Sequence, residues 1–193
     1  TSLYLQGNQL TGEIPSEVCD LIESNNWDSW WNIEDYILAG NNLINTCEEP
    51  SLCDEEIEVE LWGECYNIEE TTELDLSDSG LTGEIPSEIG NLTNLTYLRL
   101  NSNQLTGGIP DGLWNLNNLE RLFLQDNPLG GEISENIKNL IILQQMELND
   151  CGLTGEIPDE IGNLSNLTIL IASNNSIQSI PDGIGNLSDV WYL

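Results

Sequence analysis

Apolar residues recur along this chain at a nearly constant spacing, always in the same setting of polar positions. The recurring pattern is L-x-L-x-x-N-x-L-x-G-x-I-P, as in residues 98–110. Its opening L-x-L step has the two-residue period of a strand, which predicts that Leu98 and Leu100 point inward. Tyr97 and Arg99 then point outward, and we expect one short strand per period. The first leucine of the step falls at Leu74, Leu98, Leu122, Met146, Leu170 and Leu193.

Two further copies precede this regular array. The stretch LYLQGNQLTGEIP starts at Leu3, and the degenerate copy YILAGNNL starts at Tyr36. The repeated template resembles the leucine-rich repeat family, and its G-x-I-P ending resembles the plant-type class of that family. The resemblance covers about four-fifths of the chain. It implies an α/β repeat solenoid, with a parallel β-sheet on the concave face and 3-10 or extended segments on the convex face.

Polar and apolar positions after each strand have separate expected roles. A side-chain amide at the N position can bond the backbone of its own coil and of the next coil. The isoleucine of G-x-I-P, such as Ile85 or Ile180, is expected to pack under the turn. Because one coil cannot bury its own apolar face, stability should be a sum over neighbouring coils. The N positions are Asn8, Asn41, Ser79, Asn103, Asn127, Cys151 and Asn175.

The regular pattern is interrupted between Asp20 and Thr72. The stretch DLIESNNWDSWWNIED inserts about nine residues between the first two coils. Farther on, EIEVEL alternates apolar and acidic residues, which predicts a cap strand with one wet face. The following LWGEC resembles the N-terminal cap of plant-type leucine-rich repeat proteins.

We therefore predict two domains. Residues 1–56 are the end of one repeat block, with a Trp-rich insertion and a Cys-containing cap. Residues 57–193 are a second block with its own N-terminal cap, truncated in mid-array. The alternative is one continuous solenoid with an irregular insertion.

Charge narrows the choice of partners. The chain has 34 acidic residues, three basic residues and no histidine, for a net charge of −31. A nucleic-acid partner needs a basic surface and is excluded, and an anionic membrane surface is disfavoured for the same reason. No apolar run approaches the length of a membrane span. Without a nucleophile elbow, a phosphate-binding glycine loop or a histidine base, the chain is not expected to be an enzyme or to need an organic cofactor.

The acidity itself has two interpretations. One is the solubility of a marine or salt-adapted secreted protein. The other is calcium binding, because calcium takes several oxygen ligands. A second acidic cluster, CDEEIEVELWGE, runs from Cys53 to Glu64. The candidate calcium ligands share the x position of G-x-I-P and are Glu13, Glu84, Glu132 and Glu156.

The cysteines indicate the compartment. Cys151 stands at an N position, where a packed free thiol is expected. The other four lie in the interrupted region, and they allow three pairings. Cys47 and Cys53 are near enough in sequence to close a short loop. Disulfides at caps fit an extracellular or cell-surface protein. The disulfide candidates are Cys19, Cys47, Cys53 and Cys65.

Six N-x-S/T sequons accompany the repeats and could carry glycans in a secreted eukaryotic protein. The repeat motif GNLTNLT generates such sequons by itself. They begin at Asn91, Asn94, Asn163, Asn166, Asn174 and Asn186.

The outward strand positions carry the candidate binding residues. Two of the three basic residues, Arg99 and Arg121, fall there with several aromatic and apolar side chains, and such residues are enriched at binding hot spots. Alternatively, the two arginines neutralise Asp75, Glu120 and Glu147 on neighbouring strands. The candidate partner-binding residues are Tyr97, Arg99, Arg121, Phe123, Ile169, Ile171 and Tyr192, with Trp27, Trp30 and Trp31 as a second group.

Two functions stay open. Both ends of the sequence fall inside a coil, so the chain is either an excerpt of a longer array or stacks head to tail on copies of itself. We therefore expect a non-enzymatic extracellular protein with a structural, adhesive or filament-like role, whose partner is itself. The alternative is a ligand-binding ectodomain that recognises a peptide, protein or glycan on its concave face.

Overall fold

The computed structural model describes residues 7, 9–13, 41–44, 53–188 and 190. The chain divides into two compact units, Thr1–Ser51 and Leu52–Leu193. The domain boundary predicted from the sequence lies after residue 56. In the structure residues 53–56 belong to the second unit, where Cys53 is bonded to Cys65.

The first unit contains a two-stranded parallel sheet, β1 (Thr11–Glu13) and β2 (Asn42–Ile44). Thr11 lies opposite Asn42, whereas in the second unit the corresponding Thr82 lies opposite Gln104. The chain between the paired residues is longer in the first unit, and the excess equals the predicted nine-residue insertion. The insertion itself lies outside the described residues, as do Trp27, Trp30, Trp31, Cys19, Cys47 and Tyr192.

The second unit begins with an antiparallel hairpin of β3 (Glu58–Leu61) and β4 (Glu64–Asn67). Its two-residue turn has positive φ at both Trp62 and Gly63, the requirement of a type I′ turn. Val59 and Leu61 are buried and Glu60 is exposed. The predicted cap strand with one wet face is therefore present.

Five short parallel strands form the main sheet of the second unit, and their order across the sheet follows their order in the chain. The predicted anchors Leu74, Leu98, Leu122, Met146 and Leu170 lie in register, one strand apart, and all are buried. This confirms the period read from the sequence. We call the outward side of this sheet the strand face. The strands are β5 (Glu73–Asp75), β7 (Tyr97–Arg99), β9 (Arg121–Phe123), β10 (Gln145–Glu147) and β11 (Ile169–Ile171).

After each main strand the chain passes through a turn to a 3-10 helix. Two of these passages contain the strands β6 (Thr82–Glu84) and β8 (Gln104–Thr106), which pair in parallel. Four of the five described helices follow a proline whose φ is restricted to the value found there, and the other follows Ser134. None of the described helices has the length and apolar character needed to cross a membrane. The helices are Ser87–Asn91, Asp111–Asn115, Glu135–Asn139, Asp159–Asn163 and Asp182–Asn186.

The isoleucines of G-x-I-P behave as expected at three positions. Ile85, Ile133 and Ile157 are buried, and Ile109 is half-buried. Ile180 is 65% exposed, so the prediction is wrong there. Its coil is the last complete one that the structure describes, and no described coil packs over it.

The N-position side chains connect consecutive coils. Asn103 Nδ2 donates to Leu100 O in its own coil and to Leu76 O in the preceding coil, both at 2.8 Å. Its Oδ1 accepts from the N–H groups of Ser79 and Leu81. These inter-coil hydrogen bonds therefore connect Asn103 to the preceding coil, whereas the prediction from the sequence was a connection to the next coil. In the first unit, Leu10 N–H likewise donates to Asn41 Oδ1.

Glycines let neighbouring 3-10 helices approach each other closely. A Cβ on Gly112 would lie 1.9 Å from the carbonyl oxygen of Ser87, in the preceding coil. A Cβ on Gly183 would lie 2.2 Å from Asp159 O. By contrast, a Cβ on Gly185 would have no heavy atom within 4 Å. The glycines at 112 and 183 are therefore required by coil packing.

Candidate functional site

An arginine and two aromatic rings form a cluster on the strand face. Strands β7 and β9 place Arg99 beside Phe123 and Tyr97 beside Arg121. The Arg99 guanidinium carbon lies 5.3 Å from the Tyr97 ring centroid and 5.2 Å from that of Phe123. The two ring centroids are 5.5 Å apart. Such cation–π contacts order the three side chains, and we call Tyr97, Arg99 and Phe123 the aromatic cluster.

Arg99 also pairs with an acid on the adjacent strand. Its Nη1 lies 3.3 Å from Asp75 Oδ2, and both side chains are more than a third exposed. An exposed pair of this kind contributes at most about 1 kcal/mol to stability. Hydrogen bonds from the Ser77 hydroxyl and N–H, followed by Arg99, lower the pKa of Asp75. This is the neutralising role that the alternative interpretation assigned to Arg99.

Arg121 differs from Arg99, because it is exposed and makes no ion pair within the described part of the chain. Its expected acidic partners are bound by amides instead. Glu120 Oε2 accepts from Gln144 Nε2 at 3.2 Å. Glu147 accepts from Gln125 at 3.0 Å and from Gln145 at 2.6 Å. Arg121 forms no ion pair with Glu120 or Glu147 in the described part of the chain, so the expected neutralisation is not found there.

The strand face changes character from strand to strand. Strand β5 presents Glu73 and Asp75, and β10 presents Gln145 and Glu147. Ile169 and Ile171 stand half-buried on β11, two strands from Arg121 and about 10 Å away. The face thus runs from acidic through cationic and aromatic to apolar. The structure places six of the seven strand-face candidates on one sheet, and Tyr192 lies outside the described residues.

Two buried polar groups just beyond the strands of the aromatic cluster were not predicted from the sequence. Asn101 Oδ1 and Gln125 Oε1 are buried and accept no hydrogen bond from any residue that the structure describes. Each residue stands two positions beyond its strand, after β7 and β9 respectively. Their equivalence in successive repeats was visible in the sequence, but their burial was not.

Among the described residues, the three glutamates of the candidate calcium column are not close enough together to form a ligand group. Glu84, Glu132 and Glu156 are exposed. The side chain of Glu84 lies against Gly107 of the following coil, where its Cγ is 2.5 Å from the position of a glycine Cβ. The side chain of Glu13 is not among those described. Among described residues, one group of three ligand atoms lies close together, that of Cys53, Glu58 and Cys65. Calcium binding stays a prediction.

The disulfide and the free thiol have different surroundings. Cys53 is bonded to Cys65, so the short loop considered between Cys47 and Cys53 is not formed. Because those two sulfurs are bonded to each other, the group with Glu58 offers no thiolate to a metal. Cys151 is a buried free cysteine whose Sγ lies 3.3 Å from Leu124 O. Burial raises the pKa of this thiol to about 12.

Family models match this chain over several of its repeats. A family model described as leucine rich repeat matches residues 69–129. A second model with the same description matches residues 1–21, 143–164 and 166–187. A search of curated proteins finds no match.

Solved structures with similar coordinates include receptor ectodomains of Arabidopsis thaliana. One is the ectodomain of the receptor kinase GASSHO1/SCHENGEN3 in complex with CASPARIAN STRIP INTEGRITY FACTOR 2, with 33% identity, a TM-score of 0.61 and coverage of 99% of this chain and 17% of that chain. Another is the BIR2 ectodomain, with 36% identity, a TM-score of 0.55 and coverage of 57% and 58%. The Arabidopsis HAESA ectodomain in complex with an IDA peptide hormone ligand shows 27% identity, a TM-score of 0.63 and coverage of 98% and 28%. The chain thus spans 17% to 58% of the length of these three proteins.

Proposed function

Because this chain belongs to the leucine-rich repeat family, we propose that it is an extracellular, non-enzymatic segment whose strand face binds a peptide or an extended protein segment. Two of the similar ectodomains carry a partner in their structures, and one of those partners is described as a peptide hormone. Ligand recognition was the alternative in our sequence analysis. The structural, adhesive or filament-forming role has no support among these relatives, and we do not propose it.

The observation that carries this proposal is the state of Arg121. In a chain with 34 acidic residues, this exposed arginine has no ion-pair partner among the described residues. A guanidinium in this state can donate to a carboxylate or carbonyl of a ligand without first breaking an existing pair.

The aromatic cluster supplies the second element of the proposed surface. Arg99 is held by Asp75 and by two rings, so these side chains lose little further freedom when a ligand arrives. Phe123 is 7% exposed and acts mainly as a support, while Tyr97 is more accessible. An extended segment crossing the strands would contact Arg121 and, about three residues farther on, Ile169 and Ile171.

Selection from a displayed library of random 12-residue peptides tests the proposal. Peptides enriched on the protein should bind Arg121→Gln at least about tenfold more weakly, because a hydrogen bond to a charged group is lost. Lys138→Gln is the matched control, since it removes one positive charge from the 3-10 helix Glu135–Asn139 instead of the strand face. Equal binding by both variants, or the absence of any enriched peptide, would refute the proposal.

A further inference from the structure

Two kinds of N-x-S/T sequon alternate along the second unit, and the structure separates them. One kind begins at the last residue of a 3-10 helix, as at Asn91 and Asn163. The other begins three residues later, at Asn94 and Asn166. Asn91, Asn94 and Asn166 all begin N-L-T, so the tripeptide by itself does not distinguish the two kinds.

In the sequons at Asn91 and Asn163, both the asparagine and the hydroxyl residue are exposed to solvent. Asn91 and Thr93 are exposed, while Leu92 between them is fully buried. Leu92 has φ −76° and ψ 60°, and Thr93 N–H donates to Asn91 O at 2.8 Å. These values describe an inverse γ-turn, which anchors the leucine and directs its two neighbours outward. Asn163 has the same arrangement, with Leu164 buried and Ser165 exposed.

Within the described part of the chain, neither Asn91 nor Asn163 uses its side chain in the fold. The amide of each makes no hydrogen bond to any described residue. A group attached to either nitrogen would therefore displace nothing that the fold requires.

In the sequons at Asn94 and Asn166, both the asparagine amide and the threonine hydroxyl donate a hydrogen bond to the preceding coil. Asn94 Nδ2 donates to Glu69 O at 2.9 Å, and the Thr96 hydroxyl donates to Thr72 O at 3.0 Å. Asn166 Nδ2 donates to Ile141 O at 2.8 Å, and the Thr168 hydroxyl donates to Gln144 O at 2.9 Å. All four acceptors are backbone carbonyls of the preceding coil.

This role in the fold is independent of the sequon. Asn118 stands at the same repeat position in a coil without a sequon, and its Nδ2 donates to Thr93 O at 2.9 Å. Exposure alone would not sort the sites, because Asn94 and Asn166 are also exposed residues. The inter-coil hydrogen bonds distinguish Asn94 and Asn166 from Asn91 and Asn163.

The other two sequons also direct their amides at the preceding coil. Asn174 Nδ2 donates to Asp150 Oδ2 at 3.2 Å. Asn186 also ends a 3-10 helix and makes no side-chain hydrogen bond to a described residue, so it belongs to the first kind. It differs from Asn91 and Asn163 because its Nδ2 lies against Gly162 of the preceding coil, 3.0 Å from the position that a Cβ would take there. Neither amide therefore stands clear of the coil before it.

We propose that Asn91 and Asn163 are the N-glycosylation sites of this unit, and that Asn94 and Asn166 serve as inter-coil bridges instead. The donor is an oligosaccharide on a polyprenyl diphosphate. The asparagine Nδ2 forms a bond to the anomeric carbon of the sugar, and the bond from that carbon to the diphosphate oxygen breaks. The lipid diphosphate leaves with the electron pair, and the amide releases one proton.

The two sites are three coils apart and end their 3-10 helices, so they do not lie on the strand face. Glycans there would leave the proposed ligand surface open. The inference does not depend on ligand binding, and its test is separate from the peptide selection.

Site mapping on the secreted wild-type chain tests the proposal. The protein is produced in a eukaryotic cell line, deglycosylated enzymatically in ¹⁸O-water, cut after glutamate and sequenced by mass spectrometry. Cleavage after glutamate is needed because the chain has three Lys and Arg residues. We expect occupancy at Asn91 and Asn163 about tenfold or more above that at Asn94 and Asn166. Equal or reversed occupancy, or no glycan at Asn91 and Asn163, would overturn the proposal.

Paired variants give an independent measurement. Asn91→Gln with Asn163→Gln should remove the glycan mass from the unit and leave the melting temperature of the enzymatically deglycosylated protein unchanged. Asn94→Gln with Asn166→Gln should keep the mass and lower the melting temperature, because it disturbs the two inter-coil bonds that these amides donate. Asn118→Gln is the control for a lost bridge without a sequon. Loss of glycan mass in the second pair would contradict the assignment.

Discussion

Replacement of Gly112 by alanine tests whether neighbouring coils need direct backbone contact on the helical side. The added Cβ would lie 1.9 Å from Ser87 O and 2.9 Å from Ser87 C. Both atoms belong to the backbone, so no side-chain rotation can remove the clash. The helices Ser87–Asn91 and Asp111–Asn115 would have to separate by more than about 1 Å to restore ordinary contact.

The cost of that separation follows from the packing beneath the two helices. Ile89 and Leu113 are fully buried there, and a gap of about 0.5–1 Å already removes a quarter to a half of the dispersion energy of the affected contacts. Overpacking in a close-packed interior costs about 1–3 kcal/mol. We expect Gly112→Ala at the upper end of that range, which lowers the melting temperature of a unit of this size by about 10 °C.

Gly185→Ala is the matched control for this experiment. It makes the same chemical change in another 3-10 helix, where a Cβ meets no heavy atom within 4 Å and φ lies outside the left-handed region. That variant should be neutral, or more stable by about 0.4–1 kcal/mol, because alanine restricts the unfolded chain. Thermal and urea unfolding followed by circular dichroism measure both effects. If Gly112→Ala and Gly185→Ala unfold alike, the argument from close coil contact is wrong.

Two further predictions concern the N positions. Asn127→Ala removes donors to Leu100 O and Leu124 O and the acceptor for Leu105 N–H, so it should reduce the free energy of unfolding by about 3 kcal/mol. Urea unfolding measures this change, with Asn118→Ala as the comparison because it removes one exposed hydrogen bond. If Asn127→Ala loses no more unfolding free energy than Asn118→Ala, the prediction is wrong. Burial raises the pKa of Cys151 to about 12, so the unfolded chain releases this proton first as the pH rises. The contribution of this thiol to stability should therefore be constant below about pH 8 and fall between about pH 8 and 12. The urea midpoint of Cys151→Ser should fall less than that of the wild type over that pH range. The raised pKa of Tyr66 affects both proteins alike. If the urea midpoints of the two proteins fall equally with pH, Cys151 is not the titrating group.

Much of this fold could be read from the sequence, because each coil is specified locally and packs on its nearest neighbours. The L-x-L step placed Leu98, Leu122 and Met146 in one buried row, and the structure confirms that row. The nine-residue insertion between the first coils appears in the pairing of Thr11 with Asn42. The repeat period and the two-residue alternation can be predicted without knowing any side-chain contact, because they depend only on which apolar positions must be buried.

The choices among equivalent neighbours were decided only by the tertiary structure. Arg99 and Arg121 look alike in the sequence, yet only Arg99 has an acidic partner among the described residues. Glu120 and Glu147 accept from glutamine amides. Likewise, Asn91 and Asn94 begin the same tripeptide, but only Asn94 reaches a carbonyl of the preceding coil. In a repeat, every side chain has several candidate partners about one strand spacing away, and rotamers and exact placement select among them. Sequence thus determined the coil, and packing of coil on coil determined which side chains are left free for a ligand or a glycan.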